Sequence, residues 1–294
     1  MSKNQQPVNG VIHSYAFRKI AFEFSPVGHK PTDKVLIVIG GLMDGLLTVP
    51  YHPPLAEALS KHGWSVIQIE FTSSHSGWGT GSLVRDSKEI HQLVGYLKSI
   101  GKKEIGIMGH STGCQNVMHY FSKSGNDDVD FGILQAPVSD RVSAGESLKE
   151  EEVAASLQLA KDLIASGKSK EIMPTQYTKH FFNVPINAYR WYSLIGVRGD
   201  DDFFSPDLTE ADWATTFGKI DCPYLVLYSG SDEFVPSWLD KEELMKKWAL
   251  AGKDHGWSKL SKVIKGAKHN LGEGSTEGAM QEGINTVVSF ITAL

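Results

Sequence analysis

The amino-acid sequence predicts an α/β fold in which a mostly parallel β-sheet is flanked by helices. Short runs rich in β-branched residues alternate with longer segments of helical spacing, the pattern that produces βαβ units. The run Lys34–Ile39 is almost continuously apolar, as in a strand that is buried on both faces. The chain has 294 residues, of which 41% are hydrophobic and 21% charged, so it can bury a full core.

The predicted elements follow this alternation along the chain. The predicted strands cover residues 11–17, 19–24, 34–39, 64–71, 104–108, 130–134, 224–228 and 260–264. The predicted helices cover residues 54–62, 82–100, 111–122, 151–166 and 280–294. The first two strands are so close in sequence that we expect an antiparallel hairpin at an edge of the sheet. Gly167 is a suitable C-cap for the fourth predicted helix.

The rhythm of strands and helices changes between residues 138 and 217. An Ala- and Leu-rich helix is followed by an irregular, aromatic-rich segment over residues 181–212. We therefore expect residues 1–137 and 218–294 to form the α/β core, with residues 138–217 inserted as a cap or lid. The alternative is that the inserted residues form ordinary surface helices.

The strongest functional signal is a G-x-S-x-G motif, Gly109-His-Ser-Thr-Gly113, between a predicted strand and a predicted helix. A serine held above a sheet in this way needs a very tight turn, and glycines two residues before and after it avoid clashes. The N-terminus of the following helix favours developing negative charge. The motif in this context predicts an α/β-hydrolase fold with Ser111 as the nucleophile. We expect Cys114 to serve packing, and His110 not to be the catalytic base.

Acyl transfer also requires hydrogen-bond donors at the point where the carbonyl oxygen becomes an oxyanion. In this fold one donor is the backbone N–H of the residue after the nucleophile, here Thr112. The other donor comes from the loop after the third strand, which reads Ile-Gly-Gly-Leu-Met-Asp-Gly over residues 39–45. The candidates there are Leu42 and Gly41. A plain glycine-rich turn is the alternative interpretation.

The acid and the base are expected in the order Ser, Asp, His along the chain. Asp232 lies in a polar turn just after the seventh predicted strand, and His269 lies in the loop between the last strand and the final helix. Asp140 competes for the role of acid and His255 for that of base, and Glu233 is expected to be exposed.

These roles define a mechanism that needs no metal and no cofactor. His269 takes the proton of Ser111 as the serine attacks, and Asp232 fixes the tautomer of the imidazole. An acyl-enzyme forms and water hydrolyses it. No group of cysteines and histidines has the spacing of a zinc site.

Composition restricts the partners and the location. The net charge is −5, with 29 basic and 34 acidic residues, so we expect no nucleic-acid partner. The two cysteines, Cys114 and Cys222, fit a reducing compartment. No apolar stretch approaches about 18 residues, and no apolar run follows the first residues, so neither a membrane span nor a secretory signal is expected. We expect a cytoplasmic monomer or small homo-oligomer that acts on a small-molecule ester.

Five further segments support a family resemblance. They are residues 40–47 (Gly-Gly-Leu-Met-Asp-Gly-Leu-Leu), 76–79 (Ser-Gly-Trp-Gly), 167–174 (ending in Ile-Met-Pro), 188–194 (Ala-Tyr-Arg-Trp-Tyr-Ser-Leu) and 202–205 (Asp-Phe-Phe-Ser). Together they resemble a fungal and plant α/β-hydrolase family long labelled as a domain of unknown function, which includes intracellular fungal hydrolases of fusarinine-type siderophores. The resemblance spans nearly the whole chain. It implies cleavage of ester bonds that join hydroxamate units, which frees iron from a ferri-siderophore, with Ser111, Asp232 and His269 as the triad.

The residues themselves say less about the substrate. An aromatic cap suits a bulky organic ligand, and Asp44, Trp78, Arg190 and Trp191 are the candidate substrate-binding residues. Trp78 and Arg190 fit packing equally well. The acidic run at residues 200–202 is a candidate for steering a cationic amine, or is an exposed loop. A general carboxylesterase, thioesterase, lipase or peptidase of the same fold and a non-catalytic binding protein are the alternatives.

Overall fold

The computed structural model describes residues 7–30, 32–124, 128–252, 254 and 256–294. The strands are β1 Gly10–Ala16, β2 Lys19–Phe24, β3 Lys34–Ile39, β4 Trp64–Glu70, β5 Glu104–His110, β6 Phe131–Gln135, β7 Tyr224–Ser229 and β8 Lys262–Ile264. The α-helices are α1 His52–Ser60, α2 Leu83–Ser99, α3 Gly113–Lys123, α4 Asp140–Gly145, α5 Glu150–Ala165, α6 Thr175–Thr178, α7 Ala188–Ile195, α8 Glu210–Ala214, α9 Lys241–Gly252 and α10 Ala279–Thr292.

The strands form one eight-stranded sheet in the order β1-β2-β4-β3-β5-β6-β7-β8. The pairs β1–β2 and β2–β4 are antiparallel, and the remaining pairs are parallel. The predicted edge hairpin and the predicted mostly parallel sheet are therefore confirmed. Parallel strands need crossover connections, and these place helices over both faces of the sheet.

Two apolar clusters cover the two faces of this sheet. Within β3, Val35, Ile37 and Ile39 belong to one cluster, whereas Leu36 and Val38 belong to the other, as the two-residue period of a strand requires. Helices α2 and α3 pack into the first cluster, and α1 and α10 pack into the second. The sheet is thus held from both sides, which fixes the positions of the loops that leave the ends of β3 and β5.

The segment between β6 and β7 has a divided core. Its first part contributes Leu148, Ala160 and Trp191 to a third apolar cluster, which also includes Trp78. Its last part is different, because residues such as Phe204 pack into the first of the two clusters that cover the sheet. Whether residues 138–217 act as one cap stays a prediction, although the separate cluster over the first part is consistent with it.

Local signals were most accurate where glycine ends a helix. The helix predicted at 151–166 is confirmed as α5, and Gly167 follows it with a φ of +76°, the left-handed conformation that closes many helices. The expectation of an irregular segment over 181–212 was wrong in part, because α7 and α8 lie there. Helix α9 was not predicted, and β8 is two residues shorter at its start than expected.

Candidate active site

Ser111 lies at the sharp turn between β5 and α3. Its φ is +55°, a strained value for a residue other than glycine. A Cβ atom on Gly109 would lie 2.2 Å from the backbone carbon of Gly113, and one on Gly113 would lie 2.5 Å from the carbonyl oxygen of Ile39. The Ser111 N–H donates to the Gln135 carbonyl at 3.0 Å. Only glycines therefore fit two residues before and two residues after the serine, and a hydrogen bond to β6 holds the turn in place.

Asp232 and His269 form a buried acid–base pair. The Nδ1 atom of His269 lies 2.7 Å from Oδ2 of Asp232, and Oδ1 of Asp232 accepts a hydrogen bond from the Phe234 N–H at 3.0 Å. Because a carboxylate accepts, we assign the ring proton to Nδ1, which leaves the lone pair on Nε2 for a nucleophile. Asp232 and His269 are 4% and 7% exposed.

Ser111 and His269 line the same cavity. Among the described residues, the Ser111 hydroxyl forms no hydrogen bond with the ring of His269. Such bonds are often long or misaligned in free enzymes and tighten in the substrate complex. The structure therefore brings all three predicted triad residues to one place, with the Asp232–His269 bond already formed.

Several contacts that sequence reasoning missed hold the His269 loop. The His269 N–H donates to Oε2 of Glu233 at 3.1 Å. The His269 carbonyl accepts from Nε2 of Gln135 at 3.0 Å and from the Ser229 hydroxyl at 3.3 Å. The ring of Phe234 packs edge-on against the imidazole, with centroids 4.7 Å apart. Glu233 is exposed as expected, but it also anchors the backbone of the proposed base.

His110 also contacts His269 and is linked to its loop through Gln135. Its ring lies 4.9 Å from that of His269, and its Nδ1 lies 2.6 Å from Oε1 of Gln135. Gln135 already uses Nε2 as a donor, so Oε1 must accept and His110 must donate. Burial lowers the pKa of His110 to about 4, and neighbouring His269 adds to this effect. His110 is therefore a neutral hydrogen-bond donor in the wall of the site, and Gln135 had no signal in the sequence.

The loop after β3 distinguishes the candidate oxyanion donors. The Gly41 N–H donates to Oδ2 of Asp44 at 2.7 Å, so the prediction that Gly41 supplies a donor does not hold in this structure. Across the described part of the chain, the backbone N–H groups of Leu42 and Thr112 have no hydrogen-bond partner. A Cβ on Gly41 would lie 2.7 Å from Cβ of Ser111, so the loop passes directly over the nucleophile.

The catalytic cavity has a volume of about 450 Å³ and a lining of chemically different side chains. Helix α4 and the turn after it contribute the polar residues Asp140, Ser143 and Ser147, spaced as on one helical face. The large apolar side chains of the lining are those of Leu42, Met43, Phe181, Phe182 and Phe234. This arrangement suits a ligand with a polar part and an apolar part.

Asp140 lies in this cavity but not at the imidazole. Its Oδ2 accepts a hydrogen bond from Nε2 of Gln115 at 2.8 Å, whereas Asp232 is the carboxylate bonded to His269. Burial and the nearby negative charge of Asp201 together raise the pKa of Asp140 to about 7. Asp140 therefore does not occupy the position of the triad acid. The rival base, His255, lies outside the described residues.

The other predicted substrate-binding residues have different positions. Asp44 lines the cavity and also holds the Gly41 N–H. Trp78 and Trp191 are buried in the third apolar cluster, where the Trp191 Nε1–H donates to the Ser156 hydroxyl at 3.0 Å. Arg190 is also buried, and it forms an ion pair with Asp201. The prediction that Trp78, Arg190 and Trp191 bind substrate is therefore wrong for this structure, because packing removes all three from the cavity surface.

The acidic run at residues 200–202 also bonds to other residues of the protein. Asp201 pairs with Arg190 at 2.6 Å, and Asp202 accepts from the Arg198 N–H at 2.9 Å. Asp200 and Asp202 line a separate cleft of about 680 Å³, which contains no triad residue. The contacts of these carboxylates do not support a role in steering a cationic amine, and the alternative of an exposed loop describes Asp200 but not the buried Asp201.

Other site types find no support in the described ranges. No group of three or more His, Cys, Asp or Glu side chains among them is arranged to hold a metal ion. None of the helices described is both long and apolar enough to cross a bilayer. Cys114 is fully buried, and its Sγ lies 3.2 Å from the Gln135 carbonyl, in agreement with a packing role.

The serine turn at the end of β5, the sheet beneath it and the Ser, Asp, His order together confirm the predicted α/β-hydrolase fold. The solved siderophore hydrolase EstB from Aspergillus fumigatus is similar to this chain with a TM-score of 0.83, at 29% identity over 98% of both chains.

Two curated relatives are similar over nearly their whole length. UPF0613 protein PB24D3.06c of Schizosaccharomyces pombe is 37% identical over 96% of both chains. Fusarinine C esterase sidJ of Aspergillus fumigatus is 30% identical over 97% of this chain and 96% of its own. A family model also matches residues 1–292. The chain therefore belongs to the family described as Protein of unknown function (DUF1749).

Proposed function

We propose that this chain is a serine ester hydrolase that acts through an acyl-enzyme. The observation that carries the proposal is the buried Asp232–His269 hydrogen bond of 2.7 Å in the wall of the cavity that contains Ser111. A strained serine turn has a cost in folding free energy, and such strain persists where function requires it. The two unpartnered N–H groups beside Ser111 add the feature that acyl transfer needs.

Each step of the reaction has a named group. Nε2 of His269 takes the hydroxyl proton while Oγ of Ser111 attacks the ester carbon, and the carbonyl electron pair moves onto its oxygen. The N–H groups of Leu42 and Thr112 stabilise that oxyanion. When the tetrahedral intermediate collapses, the alkoxide leaves with the proton from His269. Water, activated by the same imidazole, then releases the acid and restores Ser111. Asp232 stabilises the imidazolium in both halves.

The substrate that we propose is an ester-linked hydroxamate siderophore, cleaved inside the cell so that its iron is released. Two similar proteins carry names that specify this class, fusarinine C esterase and siderophore hydrolase, and both match over nearly all of this chain. The cavity supports the proposal, because a lining with both polar and aromatic side chains suits such bulky, mixed-character esters.

We also propose that the first part of the segment at residues 138–217 covers the triad as a cap. Helix α4 supplies one wall of the cavity, and the residues at 180–182 supply further side chains of its lining. Both belong to the inserted segment, whereas Ser111, Asp232 and His269 come from loops that follow the carboxyl ends of β5, β7 and β8. The insertion thus shapes the substrate site, and the sheet provides the catalytic groups.

A fluorophosphonate probe and a p-nitrophenyl ester test the catalytic assignment. Covalent labelling should occur at Ser111, and Ser111→Ala should lower ester turnover at least about a thousandfold, as loss of a triad member does. Ser122→Ala is the matched control. Ser122 lies in α3, and its removal breaks a hydrogen bond to the Met118 carbonyl of the same helix. Ester turnover that survives in Ser111→Ala would disprove the assignment.

Mass spectrometry of purified enzyme with ferric and iron-free fusarinine C tests the substrate. We expect linear hydroxamate products whose summed masses exceed the mass of the intact ester by one water per ester bond broken. Intact fusarinine C beside rapid p-nitrophenyl ester hydrolysis would reject the siderophore substrate and leave the esterase assignment standing.

A further inference from the structure

The catalytic cavity is lined by three carboxyl groups, and the basic residues of its lining are the histidines His110, His180 and His269. Asp44, Asp140 and Glu233 all line it, and its lining includes no lysine or arginine. Asp44 and Glu233 are already engaged, because each accepts a backbone N–H, from Gly41 and from His269 respectively. Asp140 differs from these two residues, because it belongs to α4 and lies on the polar wall of the cavity.

Among the described residues, no cationic side chain forms a hydrogen bond with Asp140. Its hydrogen-bond partner is the neutral amide of Gln115, at 2.8 Å. Arg190 acts on Asp140 through space, but its Nη1 is bonded to Asp201 at 2.6 Å. The pKa of Asp140 is raised by burial and by the charge of Asp201, and the opposing effect of Arg190 offsets this only in part.

A protonated amine would satisfy this site. An ammonium group donates charge-assisted hydrogen bonds to a carboxylate, and it lowers the cost of keeping that carboxylate ionised in a buried place. The hydroxyls of Ser143 and Ser147 follow Asp140 along the same wall and offer further acceptors. An anionic ligand would instead face three carboxylates in the same cavity.

We propose that the catalytic cavity binds esters that carry a protonated amine, and that Asp140 holds this amine. The inference rests on the proposed esterase function and specifies its substrate class. Asp140 is thus a binding residue that orients one end of the ester, and the aromatic side chains of the lining receive the apolar remainder.

Ligand-observed NMR titration with three six-carbon compounds tests the proposal without requiring turnover. Hexylamine is cationic at neutral pH, hexan-1-ol is neutral and hexanoate is anionic, while their alkyl chains are alike. We expect the wild-type enzyme to bind hexylamine about tenfold or more tightly than hexan-1-ol, the size of one charge-assisted hydrogen bond. Hexanoate should bind most weakly of the three.

Two variants then locate the effect. Asp140→Asn should bring the affinity ratio of amine to alcohol close to one. Glu146→Gln removes the same charge from an exposed residue just after α4 that does not line the cavity, and it should keep the wild-type ratio. Equal binding of amine and alcohol by the wild-type enzyme would overturn the proposal, whatever the variants do. A ratio that falls equally in both variants would assign the preference to net charge and overturn the role of Asp140.

Failure of the esterase assignment would look different. It would appear as an absence of fluorophosphonate labelling and of p-nitrophenyl ester turnover, whereas the amine preference is measured by binding alone. The two conclusions are therefore decided separately.

Discussion

The imidazole of His110 packs against the imidazole of His269, with ring centroids 4.9 Å apart and planes inclined at 54°. Gln135 connects the two residues, because it accepts from Nδ1 of His110 and donates to the carbonyl of His269. The variable residue of the serine motif therefore sets the position of the proposed base, and we class His110 as a positioning residue.

Replacing His110 tests this positioning role. In His110→Phe the ring remains but the donor to Gln135 is lost, so a buried acceptor is left without a partner. We expect kcat to fall about tenfold to a hundredfold with little change in KM, because misplacement of the base affects the transition state more than binding. The measurement is steady-state hydrolysis of a p-nitrophenyl ester across pH.

The control for His110→Phe is Tyr51→Phe. Tyr51 packs against the same ring at 5.9 Å, but its buried hydroxyl has no partner among the described residues. Its removal should leave kcat within about twofold of wild type. Equal losses in the two variants would show that packing around the ring, and not the bond to Gln135, places the base.

The two buried aspartates should respond differently to the same substitution. In Asp232→Asn the amide oxygen can still accept from the Phe234 N–H, so the NH2 group faces Nδ1 of His269 and imposes the wrong tautomer, and kcat should fall about a thousandfold or more. Asp140→Asn should have a smaller effect on kcat for a neutral ester, because Asp140 has no bond to the imidazole. The opposite ranking in steady-state kinetics would move the triad acid to Asp140.

A single methyl group on the loop after β3 should disable the nucleophile. In Gly41→Ala the new Cβ would meet Cβ of Ser111 at 2.7 Å and Oγ at 3.1 Å, so the hydroxyl must move. We expect kcat to fall about a hundredfold, with about 1–3 kcal/mol lost from the free energy of unfolding.

Gly95→Ala is the control for the added methyl group. Gly95 lies in α2, and its new Cβ would meet no atom within 4 Å. This variant should keep wild-type kcat and gain about 0.5–1 kcal/mol of stability, because alanine favours the helix. Wild-type kinetics in Gly41→Ala would contradict the close approach of the loop to Ser111.

Buried histidines should make the fold sensitive to acid. Burial lowers the pKa of His52 to about 3. Between pH 6.5 and pH 3, His52 is therefore protonated in the unfolded chain but neutral in the folded protein. Stability from this group is therefore complete above pH 6.5 and is lost as pH falls. Relative to His52→Phe, wild type should lose about 2–3 kcal/mol between pH 6.5 and 4.5, since one pKa unit corresponds to about 1.4 kcal/mol.

Chemical denaturation of both proteins at several pH values measures this effect. Buried carboxyls with raised pKa values, such as that of Asp140, act in the opposite direction and are common to both proteins, so the difference isolates His52. A difference in unfolding free energy that does not change with pH would show that folding does not lower the pKa of His52.

The sequence predicted those parts of the site that local rules control. The turn at Ser111 depends on glycines two residues away, and Asp232 and His269 follow strand ends, so chain order was sufficient to identify them. The bonds that tie Gln135 to His110 and to His269 join side chains and backbone far apart in the sequence. No pattern along one chain reports such contacts.

The substrate-binding residues were harder to predict for a related reason. Aromatic and charged side chains in a segment of irregular pattern look the same whether they face a cavity or a core. Trp191 packs into the third apolar cluster, and Arg190 is neutralised by Asp201. Asp140, by contrast, was considered as a triad acid, and its place on the wall of the cavity emerged only from the fold.

The two halves of the cavity come from different parts of the chain, and this has an evolutionary consequence. The reacting groups lie in loops that follow strands of the sheet, whereas the polar residues come from α4 and the turn after it, within the segment that we propose as a cap. A mutation that changes the charge at position 140 would alter which esters are accepted without touching the machinery that breaks the bond. Selectivity and chemistry can thus diverge independently, and new substrates become accessible by single changes in one short helix.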